Sequence, residues 1–159
     1  NAYAVGSVDF TGDMPVILGP DGPSLGGFVC PATVVAADLW QLGQLRAGDS
    51  VQFVPVSIAH AVTLKQHQQH AIAALEPLCM DVPQAPVVSP VLASVSAEEN
   101  GVQVVYRPSG EQHLLIEYGP LQLDLGLRFR AHALMLWLQE RKQNDALLRQ
   151  ALIDLTPGV

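Results

Sequence analysis

A carboxylate, a hydroxyl and three glycines crowd together near the start of this chain: Asp21, Gly22, Ser24, Gly26 and Gly27. The carboxylate can accept an N–H or a proton, and the hydroxyl can donate one. Glycine brings no Cβ, so its backbone N–H groups can approach and hold a carboxylate or amide oxygen. That combination suits a small amide, with Asp21 and Ser24 as the reacting pair and Gly22, Gly26 and Gly27 as the cradle. The plainer alternative is a structural loop whose glycines only serve its turns.

Other patterns carry less chemistry. Gly22-Pro23-Ser24-Leu25-Gly26 matches the G-x-S-x-G elbow of serine hydrolases, but that elbow needs a helix directly after the serine. Gly26-Gly27-Phe28-Val29-Cys30-Pro31 is a poor helix start, so the match reads as coincidence. The glycines lack the Lys-Ser/Thr ending of a phosphate-binding loop, and the first lysine is Lys65. Asp9 and Asp13 bracket a turn and either complete a site or cap backbone. Arg128, Arg130 and His132 follow Glu117, Tyr118 and Asp124. Arg128 is the candidate there for binding a carboxylate, with a surface ion pair as the alternative. His67 and His70 share a helix face, but no third ligand stands at a supporting spacing, so a metal site is not expected. Val34, Val35, Leu39 and Trp40 read as core.

Composition narrows the class. The 159 residues are 49% hydrophobic and 14% charged, as a folded protein requires. The net charge of −7 argues against nucleic acid, whose binding needs basic surface to displace counterions. No apolar run approaches the ~20 residues needed to span a bilayer, and no signal peptide opens the chain, so a cytoplasmic location is expected. Cys30 and Cys79 lack metal or redox spacing and read as free thiols. Asn1 at the start and Thr156-Pro157-Gly158-Val159 at the end suggest a piece of a larger polypeptide.

The elements that must position these residues are β-rich. Strands are expected over 3–10, 15–18, 28–35 and 51–56, separated by Gly/Pro turns, which together suggest a small barrel. A short helix is expected over 36–42 and a longer one over 58–75, capped by Ser57. The prolines of 76–99 mark an extended connection between a first half, 1–75, and a second, 100–159. There a β-hairpin over 102–117 precedes a helix from Leu125 to about Arg141, capped by Asp124. Further helix to about Gln150 and a strand over 151–155 complete the expectation.

GPDGPSLGGFVCPATVVAADLWQLGQLRAGDSVQFVPVS resembles the carboxyltransferase region of biotin-dependent urea carboxylase, the carboxylase part of urea amidolyase. The block from Tyr106 to Leu134 resembles the start of the partner, subunit 1-like half, in the same order as the fused enzyme. The resemblance implies a mixed α+β, β-rich fold: part of a cyclophilin-like β-barrel half, then a small α/β segment. It implies transfer of a carboxyl group from carboxybiotin to urea, giving allophanate. Biotin would arrive on a separate carrier domain, and ATP and Mg would be bound in a biotin carboxylase domain. Partners would be those domains and the remainder of the carboxyltransferase, leaving this chain inactive alone. A 5-oxoprolinase-type component and a non-catalytic kinase-regulating module are the alternatives.

Overall fold

The computed structural model describes residues 3–23, 28–78, 89–120 and 122–157. The first sheet grows from a tight hairpin. β1 (Ser7–Thr11) and β2 (Met14–Ile17) are antiparallel, with Thr11 opposite Met14. The loop between them is Gly12-Asp13, whose glycine at φ +84 provides the twist that two-residue hairpins need. β3 (Ala32–Thr33) pairs antiparallel with the other side of β1, so the order is β2-β1-β3. The strand expected over 28–35 is therefore only two residues long. Pro31, which has no N–H for a ladder, stands directly before it.

Gly6 locks this sheet to the helical segment after β3. Its N–H donates to the Leu18 carbonyl at 2.8 Å, and its own carbonyl accepts from Val34 N–H at 2.9 Å. It has φ +91, and a Cβ here would lie 2.7 Å from Leu39 Cδ2. Leu39 belongs to α1 (Leu39–Leu42), which continues a 3₁₀ turn at Ala36–Asp38. The short helix expected over 36–42 is present in this two-part form. α2 (Ile58–Ala74) begins where Ser57 Oγ accepts from His60 N–H and ends at Leu75 in the left-handed region. Gln68 Nε2 donates to the Ala37 carbonyl at 2.8 Å, fastening α2 to the 3₁₀ turn.

The second sheet is β4 (Ala93–Val95), β5 (Val104–Ser109) and β6 (His113–Tyr118), antiparallel in that order. Val104, 2% exposed, is its buried centre. Between β4 and β5 stands α3 (Ala97–Asn100), opened by a capping box between Ser96 and Glu99. Strand and helix thus occupy the later part of the stretch read as an extended connection. α4 (Leu125–Asn144) starts at Asp124, whose carboxylate accepts from Leu127 N–H. α5 (Ala146–Ala151) is a separate helix because Asp145 breaks the path and caps it afresh. Residues 152–157 form no strand.

The two halves touch at the β5–β6 turn. Glu111, in that turn, accepts from Ala36 N–H at 2.8 Å. A Cβ on the neighbouring Gly110 would sit 3.3 Å from Thr33 Cγ2. Residues 51–56 alternate in sequence yet form no strand: Val51, Phe53 and Val54 are exposed and join no ladder among the described residues. What the described residues form is two small antiparallel sheets with helices, without a closed barrel.

Candidate functional site

β1 is the central strand of its sheet, and its sequence alternates Ser7, Asp9, Thr11 on one face with Val8 and Phe10 on the other. Ser7 is 1% and Asp9 4% exposed. Thr11 Oγ1 lies 3.5 Å from Asp9 Oδ2, a long contact. Asp9 Oδ1 and Ser7 Oγ are buried without a hydrogen-bond partner among the described residues. Asp9, read with Asp13 as bracketing a turn, lies within the ladder opposite Val16, and the loop begins three residues later at Gly12. Asp13 is exposed in the hairpin loop.

The glycine-rich connection is tied to this strand by topology. β2 and β3 flank β1 on opposite sides and both run antiparallel to it. The chain between them must therefore cross from one side of β1 to the other. It leaves β2 through a β-turn in which Gly22 N–H donates to the Gly19 carbonyl at 3.1 Å. Pro20 takes the second position, where its fixed φ fits, and Asp21 the third. Asp21 is exposed at that turn, and Gly22 is half-buried. Ser24, Gly26 and Gly27 lie outside the described residues.

Where the connection returns, Phe28 N–H donates to Tyr3 Oη at 2.6 Å, and the two rings stand 6.1 Å apart. Cys30 comes two residues later as a free thiol, with Cys79 outside the described residues. Burial, and secondarily the negative charge of Asp9, push the Cys30 thiol above its ordinary value. The antiparallel pairing of Ser7 with Thr33 and Val8 with Ala32 brings the returning chain alongside β1.

Beside the turn at Gly19 and Pro20 runs an apolar groove of about 580 Å³, walled by Val5, Ile17, Leu39 and Trp40. Trp40, expected in the core, is 54% exposed. It stands between this groove and a second one formed with Ile72 and Leu75 at the end of α2.

The second half arranges its polar groups differently. Arg107 Nε donates to Glu117 Oε2 at 2.6 Å across β5 and β6. Arg130 donates to the carbonyl and side chain of Asn100 and lies over the Tyr118 ring. Burial first, and the nearby Tyr106, raise the Tyr118 hydroxyl above its usual value, with Arg130 pulling it back. Arg128, on the first turns of α4, is half-buried, and its Nη1 has no partner among the described residues. No hydrogen bond joins Arg128 to Asp21 among the described residues. His67 and His70 gain no metal-ligating company there either.

These features define a class once they are set beside known proteins. The family described as "Carboxyltransferase domain, subdomain A and B" matches residues 1–55. The chain is 44% identical over 139 residues to urea amidolyase of Lachancea kluyveri, covering 84% of this chain and 8% of that protein. It is 35% identical to a putative urea carboxylase of Emericella nidulans, covering 96% of this chain and 14% of that one. The crystal structure of Kluyveromyces lactis urea carboxylase superposes with a TM-score of 0.74 at 40% identity, over 89% of this chain and 13% of that chain. The chain belongs to the carboxyltransferase region of the urea carboxylase and urea amidolyase family, and spans a small part of the length of these relatives. Among the described residues, no helix is long and apolar enough to cross a membrane.

Proposed function

We propose that this chain supplies part of a carboxyltransferase site in a biotin-dependent urea carboxylase, where a carboxyl group passes to urea to give allophanate. The observation that carries this reading is the identity to urea amidolyase and urea carboxylase proteins, which extends through both halves. Asp21 accepts an N–H or a proton of urea, and Ser24 donates to it. The backbone N–H groups of Gly22, Gly26 and Gly27 hold the oxygen on which negative charge develops. Arg128 binds a carboxylate from the second half, in keeping with its unpartnered guanidinium nitrogen.

The residues present fit biotin as well. Its thioether ring and arm are apolar, and the groove that opens at Gly19 and Pro20 would hold them against apolar walls. Bound there, biotin would supply the carboxyl group, and this chain's residues would orient the acceptor amide. ATP and Mg act in another domain of the parent polypeptide, and a carrier domain delivers biotin. The parent works in the cytoplasm.

The test is made in the intact carboxylase polypeptide. Asp21→Ala should lower urea-dependent turnover by about a hundredfold, the usual contribution of a positioned acid–base group. Bicarbonate-dependent ATP cleavage should stay intact. Loss of both activities, or of neither, overturns the assignment.

A further inference from the structure

We infer that Arg130 is a positioning residue for Arg128: by gripping Asn100 and the Tyr118 ring it fixes the first turns of α4 against the second sheet, and so sets where the Arg128 guanidinium meets a carboxylate. The inference deepens the proposed function and rests on its placement of Arg128 at a carboxylate.

A helix is usually fixed by an apolar stripe sunk into a core. α4 lacks one: none of its 20 residues is buried, and Phe129, Leu136 and Trp137 are exposed. Its hold on the sheet is concentrated near its start. Leu127 rests on the end of β6, where a Cβ on Gly119 would stand 3.2 Å from Leu127 Cδ1. Gly119 N–H donates in turn to the Gln103 carbonyl at 2.8 Å, beside the first residue of β5. Three residues after Leu127, Arg130 Nη2 donates to the Asn100 carbonyl at 2.6 Å and to Asn100 Oδ1 at 2.9 Å. Its guanidinium carbon lies 5.9 Å from the centre of the Tyr118 ring. Asn100 closes α3, and its side-chain amide donates to the Val102 carbonyl at 3.4 Å. The grip of Arg130 therefore joins α4 to the end of α3, the entry of β5 and the last residue of β6.

Leu127 and Arg130, three positions apart, share one helix face, and Arg128 lies between these two anchors along the chain. Its Nη1 is buried without a partner among the described residues. A guanidinium holds a carboxylate best through two parallel N–H bonds, so the angle and place of its plane matter. Those depend on the helix that carries it. The two arginines thus divide the work, one closed on protein acceptors and one with a nitrogen still open. Lysine at 130 could keep the charge but not the fork or the stacking on Tyr118.

The experiment is a double-mutant cycle in the intact carboxylase polypeptide: Arg128→Ala, Arg130→Ala, both together and the parent. Urea-dependent turnover is the readout, with bicarbonate-dependent ATP cleavage as the control. Arg130→Ala should lower kcat about tenfold, within the range that misplacing a reacting group costs. KM for urea should hold, because urea has no carboxylate for Arg128 to bind. In the Arg128→Ala background the same change should cost less than about twofold, since the group it positions is gone. A merely structural role would lower turnover by the same factor in both backgrounds, because a smaller folded fraction acts alike whatever stands at 128. That outcome, or unchanged turnover in Arg130→Ala, overturns the inference. If Arg130→Ala does not fold, Asn100→Ala, which removes one acceptor and leaves the carbonyl, is put through the same cycle and judged by the same non-additivity. Full turnover in Arg128→Ala would defeat the reading of Arg128 and the inference with it; equal losses in both backgrounds would defeat the inference alone.

Discussion

The two three-stranded sheets of this protein treat their polar residues in opposite ways. In the second, Arg107 meets Glu117, and Arg130 meets Asn100 and the Tyr118 ring. In the first, Ser7 and Asp9 are buried more deeply than any of those and are left with unsatisfied oxygens. A sheet whose charges close on one another needs nothing further; a sheet that buries an open carboxylate is shaped for something else. The difference separates scaffold from site within one short chain. Among the described residues of the second half, Arg128 Nη1 shares the character of the first.

That contrast can be broken, most severely at Gly6. Gly6→Val combines a positive φ with a Cβ 2.7 Å from Leu39 Cδ2. It should destabilise the first half by about 2–4 kcal/mol, the sum of backbone strain and overpacking. Hydrogen exchange should show amides of β1 and β2 losing protection while those of β5 and β6 keep theirs. Equal loss in both sheets would mean that they fold as one unit.

A milder change probes the closed sheet. Arg107→Ala removes the partner of Glu117; both side chains are about a third exposed, at 35% and 29%. Solvent screening limits the cost to about 1 kcal/mol, measured as a shift in denaturant midpoint. Urea-dependent turnover should be unchanged, and a collapse of turnover without loss of stability would erase the distinction between scaffold and site.

The smallest effect belongs to Cys30. Its folded thiol holds its proton to higher pH than the unfolded chain does, through burial and then Asp9. The contribution to stability is therefore full below the ordinary thiol range and is lost as pH climbs through the folded value. Asp9→Asn removes the second cause, so alkaline loss should shrink in that variant. Denaturant midpoints across the alkaline range check it, and an unchanged slope would separate Cys30 from Asp9.

The fold is legible in the sequence where local chemistry decides. Ser57 and Asp124 start helices as their side chains demand, and the hairpin at Gly12-Asp13 comes from its turn residues. Expectations miss where partners decide. Residues 51–56 alternate well, but alternation does not supply a neighbouring strand, and none of the described strands pairs with them. Trp40 is core by residue type, yet it rims two grooves. For the site, Asp21 stands out because glycines surround it, while Asp9 reads as one of two residues bracketing a turn, to complete a site or cap backbone. The signal for Asp9 is present all the same: Ser7, Asp9 and Thr11 recur at period two against Val8 and Phe10. That is a polar stripe on a strand whose place at the centre of the sheet only the fold reveals.

Glu111 reaches from the β5–β6 turn to the amide of Ala36, and Gly110 rests against Thr33. Alignment of the two halves is thus written into matched surfaces as well as into the peptide that joins them. In evolutionary terms, a gene divided within that joining stretch would yield two polypeptides that each keep one side of the same handshake. Fusion and separation of the halves then become alternative ways of raising the local concentration of partners that already fit.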